Sequence, residues 1–245
     1  MDLRTSTKEK AVQERKSFAT LYEDKNLKIQ YEEADGNFCL ISFTGVGHAM
    51  GGIDVQNPEF SKSDIQGPRL YITDKKRSWG NNLNLDKILK LIEPFAEGRT
   101  VVSLGNSLGG FLAILLSEKL DAKITVAFAP QWSVHKKIVP DETRWQEYIR
   151  KIWWFKHKDL SKRFAKNCNY YIFFGDDKHE NLHSKFFPHK QENVTIFKIV
   201  DTGHNVARFL KDNNCLYDII NNCLINENVT HILESKNIAF RKNEE

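Results

Sequence analysis

Short apolar runs alternate along this chain with segments whose apolar residues recur at helical spacing. The runs "LKIQYEE" (27–33), "NFCLISF" (37–43), "RLYITD" (69–74), "TVVSLG" (100–105), "AKITVAFAP" (122–130), "NYYIFFG" (169–175) and "VTIFKIV" (194–200) predict strands, and Asp35-Gly36-Asn37 marks a turn between the first two. Leu85, Ile88, Leu89, Ile92 and Phe95 predict a helix over 84–97, and Leu108, Phe111, Leu112, Leu115 and Leu116 one over 108–120. Val206, Phe209, Leu210, Ile219, Ile220 and Cys223 predict one long helix over about 205–225. Several strands carry almost no polar alternation, so both of their faces are buried. That pattern predicts an α/β fold: a mostly parallel central sheet with helices on both faces. Residues 1–25 are charged and poorly periodic and read as a lead-in. The tail after 230 reads as a further helix or a frayed end.

Composition changes this picture little. The 245 residues suit one domain, or one domain with an insert, and 40% hydrophobic with 28% charged residues is ordinary for a globular protein. No apolar run reaches the roughly 18–20 residues of a membrane span. The N-terminal "MDLRTSTKEKAVQERK" has no apolar stretch of the secretory type, which predicts a cytoplasmic protein, with peripheral contact at the inner membrane left open. Cys39, Cys168, Cys215 and Cys223 form neither a CxxC pair nor a zinc-spaced cluster, so free thiols and no metal are expected. A net charge of +4 does not by itself indicate nucleic acid, and no nucleic-acid module is present.

In parallel sheets ligands bind beyond the carboxyl ends of the strands. Three such ends carry chemistry: Ser107, the Gly175-Asp176-Asp177 turn, and Asp201-Thr202-Gly203-His204. Residues 105–109 read G-N-S-L-G, a G-x-S-x-G elbow between a strand and a helix. A dinucleotide loop would need Gly at 107, and no Walker lysine follows, so no cofactor is expected. A serine hydroxyl is a weak nucleophile without a base in reach. A neutral imidazole can take its proton and return it, and a carboxylate behind the ring fixes the tautomer.

On these residues the chain resembles the α/β-hydrolase superfamily over roughly 25–225. "LGNSLGGFLAILL" followed by "ITVAFAPQ" is similar, more narrowly, to serine esterases and acyltransferases encoded with bacterial capsule and other surface-polysaccharide genes. The Ala129-Pro130-Gln131 turn and the segment "YITDKKRSWGNN" (71–82) belong to the same likeness. The resemblance implies Ser107 as nucleophile and His204 as base. The superfamily's G-x-x-D acid is displaced, because Lys178 holds the fourth position. Asp177 is therefore the first choice, with Asp176 and Glu180 as rivals, while Asp201 lies too near His204 and reads as a helix cap. The oxyanion hole is expected from the Leu108 N–H and from Gly45 or Val46 in the "TGVGH" loop. His48, Asn106, Gln131 and Trp132 are assigned to substrate contact.

The core is expected over 26–130 and 168–230, with 131–167 as a small helical cap insert. Residues 135–167 hold ten Lys or Arg against four Asp or Glu, interleaved with Trp145, Tyr148, Trp153, Trp154 and Phe155. Three readings stay open: a lid on an anionic, sugar-containing ligand, a membrane-surface contact, and a solvated face whose tryptophans pack inward. The expected function is a serine hydrolase acting on an acyl ester of a carbohydrate or polysaccharide precursor. An O-acetyltransferase using the same acyl-enzyme and an idle scaffold are the alternatives. Expected partners are the acyl ester or carbohydrate substrate and an anionic polysaccharide or acyl donor, with oligomeric state undetermined.

Overall fold

The apolar runs assemble into one nine-stranded sheet, seen in a computed structural model that describes residues 18–47 and 56–243. In chain order the elements are β1 (Ala19–Glu23), β2 (Leu27–Glu32), β3 (Phe38–Phe43), β4 (Arg69–Asp74), α1 (Leu85–Ala96), β5 (Thr100–Asn106), α2 (Leu108–Ser117) and β6 (Ile124–Phe128). They continue with α3 (Gln146–Ile149), β7 (Asn169–Gly175), α4 (Lys178–Ser184), β8 (Val194–Ile199), α5 (Val206–Asp212), α6 (Leu216–Leu224), α7 (Thr230–Ser235) and β9 (Phe240–Lys242). The strand order is β1-β2-β4-β3-β5-β6-β7-β8-β9. The six strands from β4 to β8 run parallel, and β1, β2 and β9 pair antiparallel at the edges.

Side chains alternate across the pleat, so each buried strand feeds two cores. Cys39, Ile41 and Phe43 of β3 pack on one side with Ile88 of α1 and Leu112 of α2. Leu40 turns to the other side, with Leu210 of α5, Ile219 of α6 and Leu233 of α7. Strand β7 splits the same way, Ile172 and Phe174 against Phe173. The expected α/β class with helices on both faces is thus what forms. The four cysteines are buried free thiols.

Four expectations change. Strand β1 falls inside the anticipated lead-in, as a mostly exposed edge strand without an apolar run to announce it. The single helix over 205–225 is two, broken where Asn214 takes a φ of 53°. Asn205, not Asp201, stands at the start of α5, and Asp201 sits in a left-handed turn. Residues 131–167 are not a helical cap: α3, four residues long, is the segment's one α-helix, and the remainder is turns pinned by side chains. Ser133 Oγ donates to the Lys158 carbonyl, and Asn81 Oδ1 accepts from the His157 N–H.

Candidate active site

Ser107 stands between β5 and α2 with φ 56° and ψ −121°, a backbone conformation few non-glycine residues adopt. Holding it costs on the order of 1–3 kcal/mol, offset by the packed elements on either side. The flanking glycines are required by close approach. A Cβ at Gly105 would lie 2.2 Å from the Gly109 carbonyl, and one at Gly109 would lie 2.0 Å from the Phe43 oxygen. The Ser107 N–H is tied to the Phe128 carbonyl of β6 at 2.8 Å.

The loop after β8 carries His204 to this serine, with Nε2 2.8 Å from Ser107 Oγ. The other ring nitrogen, Nδ1, lies 2.8 Å from Glu180 Oε1. A carboxylate accepts, so Nδ1 bears the proton and Nε2 is left to accept from the hydroxyl. Three side chains 97 and 24 residues apart along the chain therefore form one continuous hydrogen-bonded line. The carboxylate in that line is Glu180, the expectation's rival, and not Asp177. Asp177 is the N-cap of α4, and its Oδ1 accepts from the Glu180 N–H at 2.8 Å. Asp176 faces away to Arg241 of the edge strand at 3.5 Å.

A second charged layer holds Glu180. Arg144, from the 131–167 segment, donates Nη1 to Glu180 Oε1 at 3.1 Å and Nη2 to Glu142 Oε2 at 2.6 Å. Glu142 also meets His183 Nε2 at 2.8 Å, and His183 Nδ1 accepts from the Trp132 N–H. Burial pushes the Glu180 carboxyl up, but the His204 bond and the Arg144 charge outweigh it and hold the group below its ordinary value. Burial likewise opposes ionisation of Glu142, and the His183 and Arg144 bonds overcome it, bringing the carboxyl down to about 2. His183 is pushed down by burial, which the Glu142 bond only partly opposes.

Gln131 closes the serine from the other side. Its Nε2 donates to Ser107 Oγ at 3.0 Å, and its Oε1 accepts from Trp79 Nε1 at 3.1 Å. An indole nitrogen can only donate, which fixes the orientation of the amide. Trp79 is itself set by a tight loop in which the buried Asp74 carboxylate accepts from the Ser78 N–H, the Ser78 hydroxyl and the Gly80 N–H. The "SWG" stretch thus acts on Ser107 through Gln131.

The two expected sources of oxyanion donors differ in availability. The Leu108 N–H, at the start of α2, and the Val46 N–H bond no other described residue. The Gly45 N–H is taken by Glu59 Oε1 at 3.0 Å. Desolvation pushes the Glu59 carboxyl up to about 7, with the Gly45 bond pulling the other way. Of the anticipated substrate contacts, Gln131 touches the serine directly. Asn106 Oδ1 is buried without a hydrogen-bond partner among the described residues. Trp132 packs inward against Phe164, Phe186 and Phe187, and its ring belongs to an aromatic cluster. His48 lies outside the described residues. Trp145, whose ring centroid is 5.9 Å from that of His204, was not anticipated as a site residue, and neither were Arg144, Trp79 and Glu59. Among the described residues no group of three His, Cys, Asp or Glu side chains could hold a metal ion, and no helix is long and apolar enough to cross a membrane.

The chain has the α/β-hydrolase fold. It is similar to the capsule O-acetyltransferase of Neisseria meningitidis serogroup A, with a TM-score of 0.57 and 17% identity over 82% of this chain and 94% of that one. It is also similar to an α/β serine hydrolase without a lid from Xanthomonas campestris, with a TM-score of 0.52 and 13% identity over 89% and 94% of the two chains. A thermophilic esterase from Thermogutta terrifontis with butyrate bound gives 0.51 and 14%, over 86% and 93%. No sequence-family model matches the chain, and no curated protein matches it.

Proposed function

We propose that this protein is a serine acyl-transfer enzyme of the esterase type, with Ser107 as nucleophile, His204 as general base and acid, and Glu180 as the carboxylate that orients the imidazole. The unbroken Ser107–His204–Glu180 line, with both contacts at 2.8 Å, is the observation that carries this reading. Ser107 Oγ attacks the ester carbonyl carbon as its proton passes to His204 Nε2. The Leu108 and Val46 N–H groups receive the negative charge that develops on the carbonyl oxygen, aided by the positive end of α2. The bond to the alcohol breaks, and His204 returns the proton to the departing oxygen. Water, deprotonated by the same imidazole, then cleaves the acyl-enzyme and restores Ser107.

The substrate we assign is an acyl ester of a carbohydrate or polysaccharide precursor. A second reading is supported by the similarity to a capsule O-acetyltransferase, one structure of which is in complex with CoA. In that reading a sugar hydroxyl takes the place of water. The test is turnover of a short-chain p-nitrophenyl ester by wild type and Ser107→Ala, with fluorophosphonate labelling in parallel. Release and labelling that both vanish in the variant are expected. Equal release by both proteins would end the assignment. Adding an oligosaccharide acceptor, with the ester or acetyl-CoA as donor, separates the readings: an acylated acceptor selects the transferase, and free acid the esterase.

A further inference from the structure

The outer part of the insert is unlike the rest of the surface. Trp153 is 100% exposed and Trp154 74%, while the chain's other three tryptophans are buried or half-buried. Neither ring makes an aromatic or cation–π contact among the described residues. Between residues 150 and 166 stand seven cations, Arg150, Lys151, Lys156, Lys158, Lys162, Arg163 and Lys166, and one acid, Asp159. That acid is engaged by Ser161. None of the seven forms an ion pair among the described residues. Lys156, Lys158, Lys162 and Arg163 line one surface depression of about 390 Å³, so they share a face. The half-buried His157 between them is pushed down to about 4, by burial first and then by the charges of Arg163, Lys156 and Lys119. The segment thus carries uncompensated positive charge and, close by in sequence, two exposed indoles, of which that of Trp153 is fully bare.

We infer that this face, Trp153 and Trp154 with the surrounding lysines and arginines, docks the protein on an anionic phospholipid surface. Indoles favour the boundary between headgroups and acyl chains, and cations beside them are drawn to negative headgroups. A soluble anionic glycan matches the charge as well, but it does not match the rings. A tryptophan that stacks on a sugar presents one face and rests the other on protein. A side chain exposed over its entire area has neither face backed, which suits insertion into a yielding medium and not a rigid platform. The same segment supplies Arg144 and Trp145 to the serine site.

The inference is independent of the chemistry at Ser107, and its test keeps the two apart. The full chain is sedimented with vesicles of phosphatidylcholine alone and of phosphatidylcholine mixed with phosphatidylglycerol, at low and high salt. Binding to the anionic vesicles only, weakened by salt, is expected. Trp153→Ala/Trp154→Ala should lower partitioning by about tenfold or more while leaving the melting temperature and ester turnover unchanged. Lys156→Glu/Lys158→Glu/Lys162→Glu should lower it comparably and remove the salt dependence. Ser107→Ala should bind like wild type. Absence of vesicle binding overturns the inference. So does retention on dextran sulfate that needs Trp153 without vesicle binding, which would make the face a polyanion site. So does a concentration-dependent dimer lost in the tryptophan variant, which would make it a contact between copies.

Discussion

The difference between Asp177 and Glu180 shows how a local backbone need decides which carboxylate is left to meet His204. Both lie just past β7, and both are acidic. The first turn of α4 needs an acceptor for its unpaired N–H groups, and Asp177 supplies it as N-cap, accepting from the Glu180 N–H. Glu180, three residues on, is where a capping box would turn its side chain back to the cap. Here that side chain turns instead to His204. Glu180→Gln should therefore leave α4 intact and lower kcat by about 10²–10⁴-fold, because the amide no longer fixes the imidazole tautomer. Asp177→Asn should cost only a few tenths of a kcal/mol, since asparagine caps as well as aspartate, and should keep near-normal turnover. Ester kinetics and thermal melts of the two variants decide it, and a larger loss of rate in the aspartate variant would return the role to Asp177.

At the scale of elements, the site is held by a joint between the 131–167 segment and α4. Arg144 bridges Glu142 of its own segment and Glu180 of the helix, and its positive charge lies one carboxylate away from His204. Arg144→Ala removes that charge and with it the anchor of Glu180, so kcat should fall. Arg144→Lys should restore the rate only in part, because an ammonium supplies charge without the two-pronged geometry. A variant that loses stability with kcat unmoved would make Arg144 a purely structural residue. The sequence displays this joint poorly. Strands such as "TVVSLG" and "NYYIFFG" are legible because burial on both faces forces unbroken apolarity, and the elbow is legible because Gly105 and Gly109 admit no side chain. Edge strands β1 and β9 are short and mostly exposed, so no unbroken apolar run marks them. Arg144 and Trp145 come from a segment without period, where an arginine that binds a buried carboxylate looks like any solvated one. Only the Asp177-x-x-Glu180 spacing carries a usable signal, since a capped helix start spends its first acid.

The whole molecule combines carboxylates tuned in opposite directions, and its stability should record both. Glu142 moves from 4.5 to about 2 on folding, so its contribution is present above pH 4.5 and is lost as pH falls through 2. Glu59 moves from 4.5 to about 7, so its contribution is present below pH 4.5 and is lost as pH rises through 7. Each displacement corresponds to about 3 kcal/mol at the far end of its window. His183, and His157 at about 4, are held neutral by burial, and they add stability as pH rises towards the ordinary histidine range of 6.5. They oppose Glu59 over the same interval, so the wild-type curve alone decides little. The difference between variant and wild type isolates each group. By urea unfolding at a series of pH values, Glu59→Gln should gain on wild type steadily between pH 4.5 and 7 and hold that gain at pH 8. It should also raise turnover at pH 8, where the wild-type carboxylate places negative charge on the Gly45 N–H beside the developing oxyanion. Glu142→Gln should be less stable than wild type at neutral pH, with Arg144 and His183 left short of a partner, and the deficit should shrink as pH falls through 4.5 towards 2. Parallel curves for Glu59→Gln and wild type would mean that Glu59 is solvated and ordinary, and that the Gly45 amide is open to substrate at every pH.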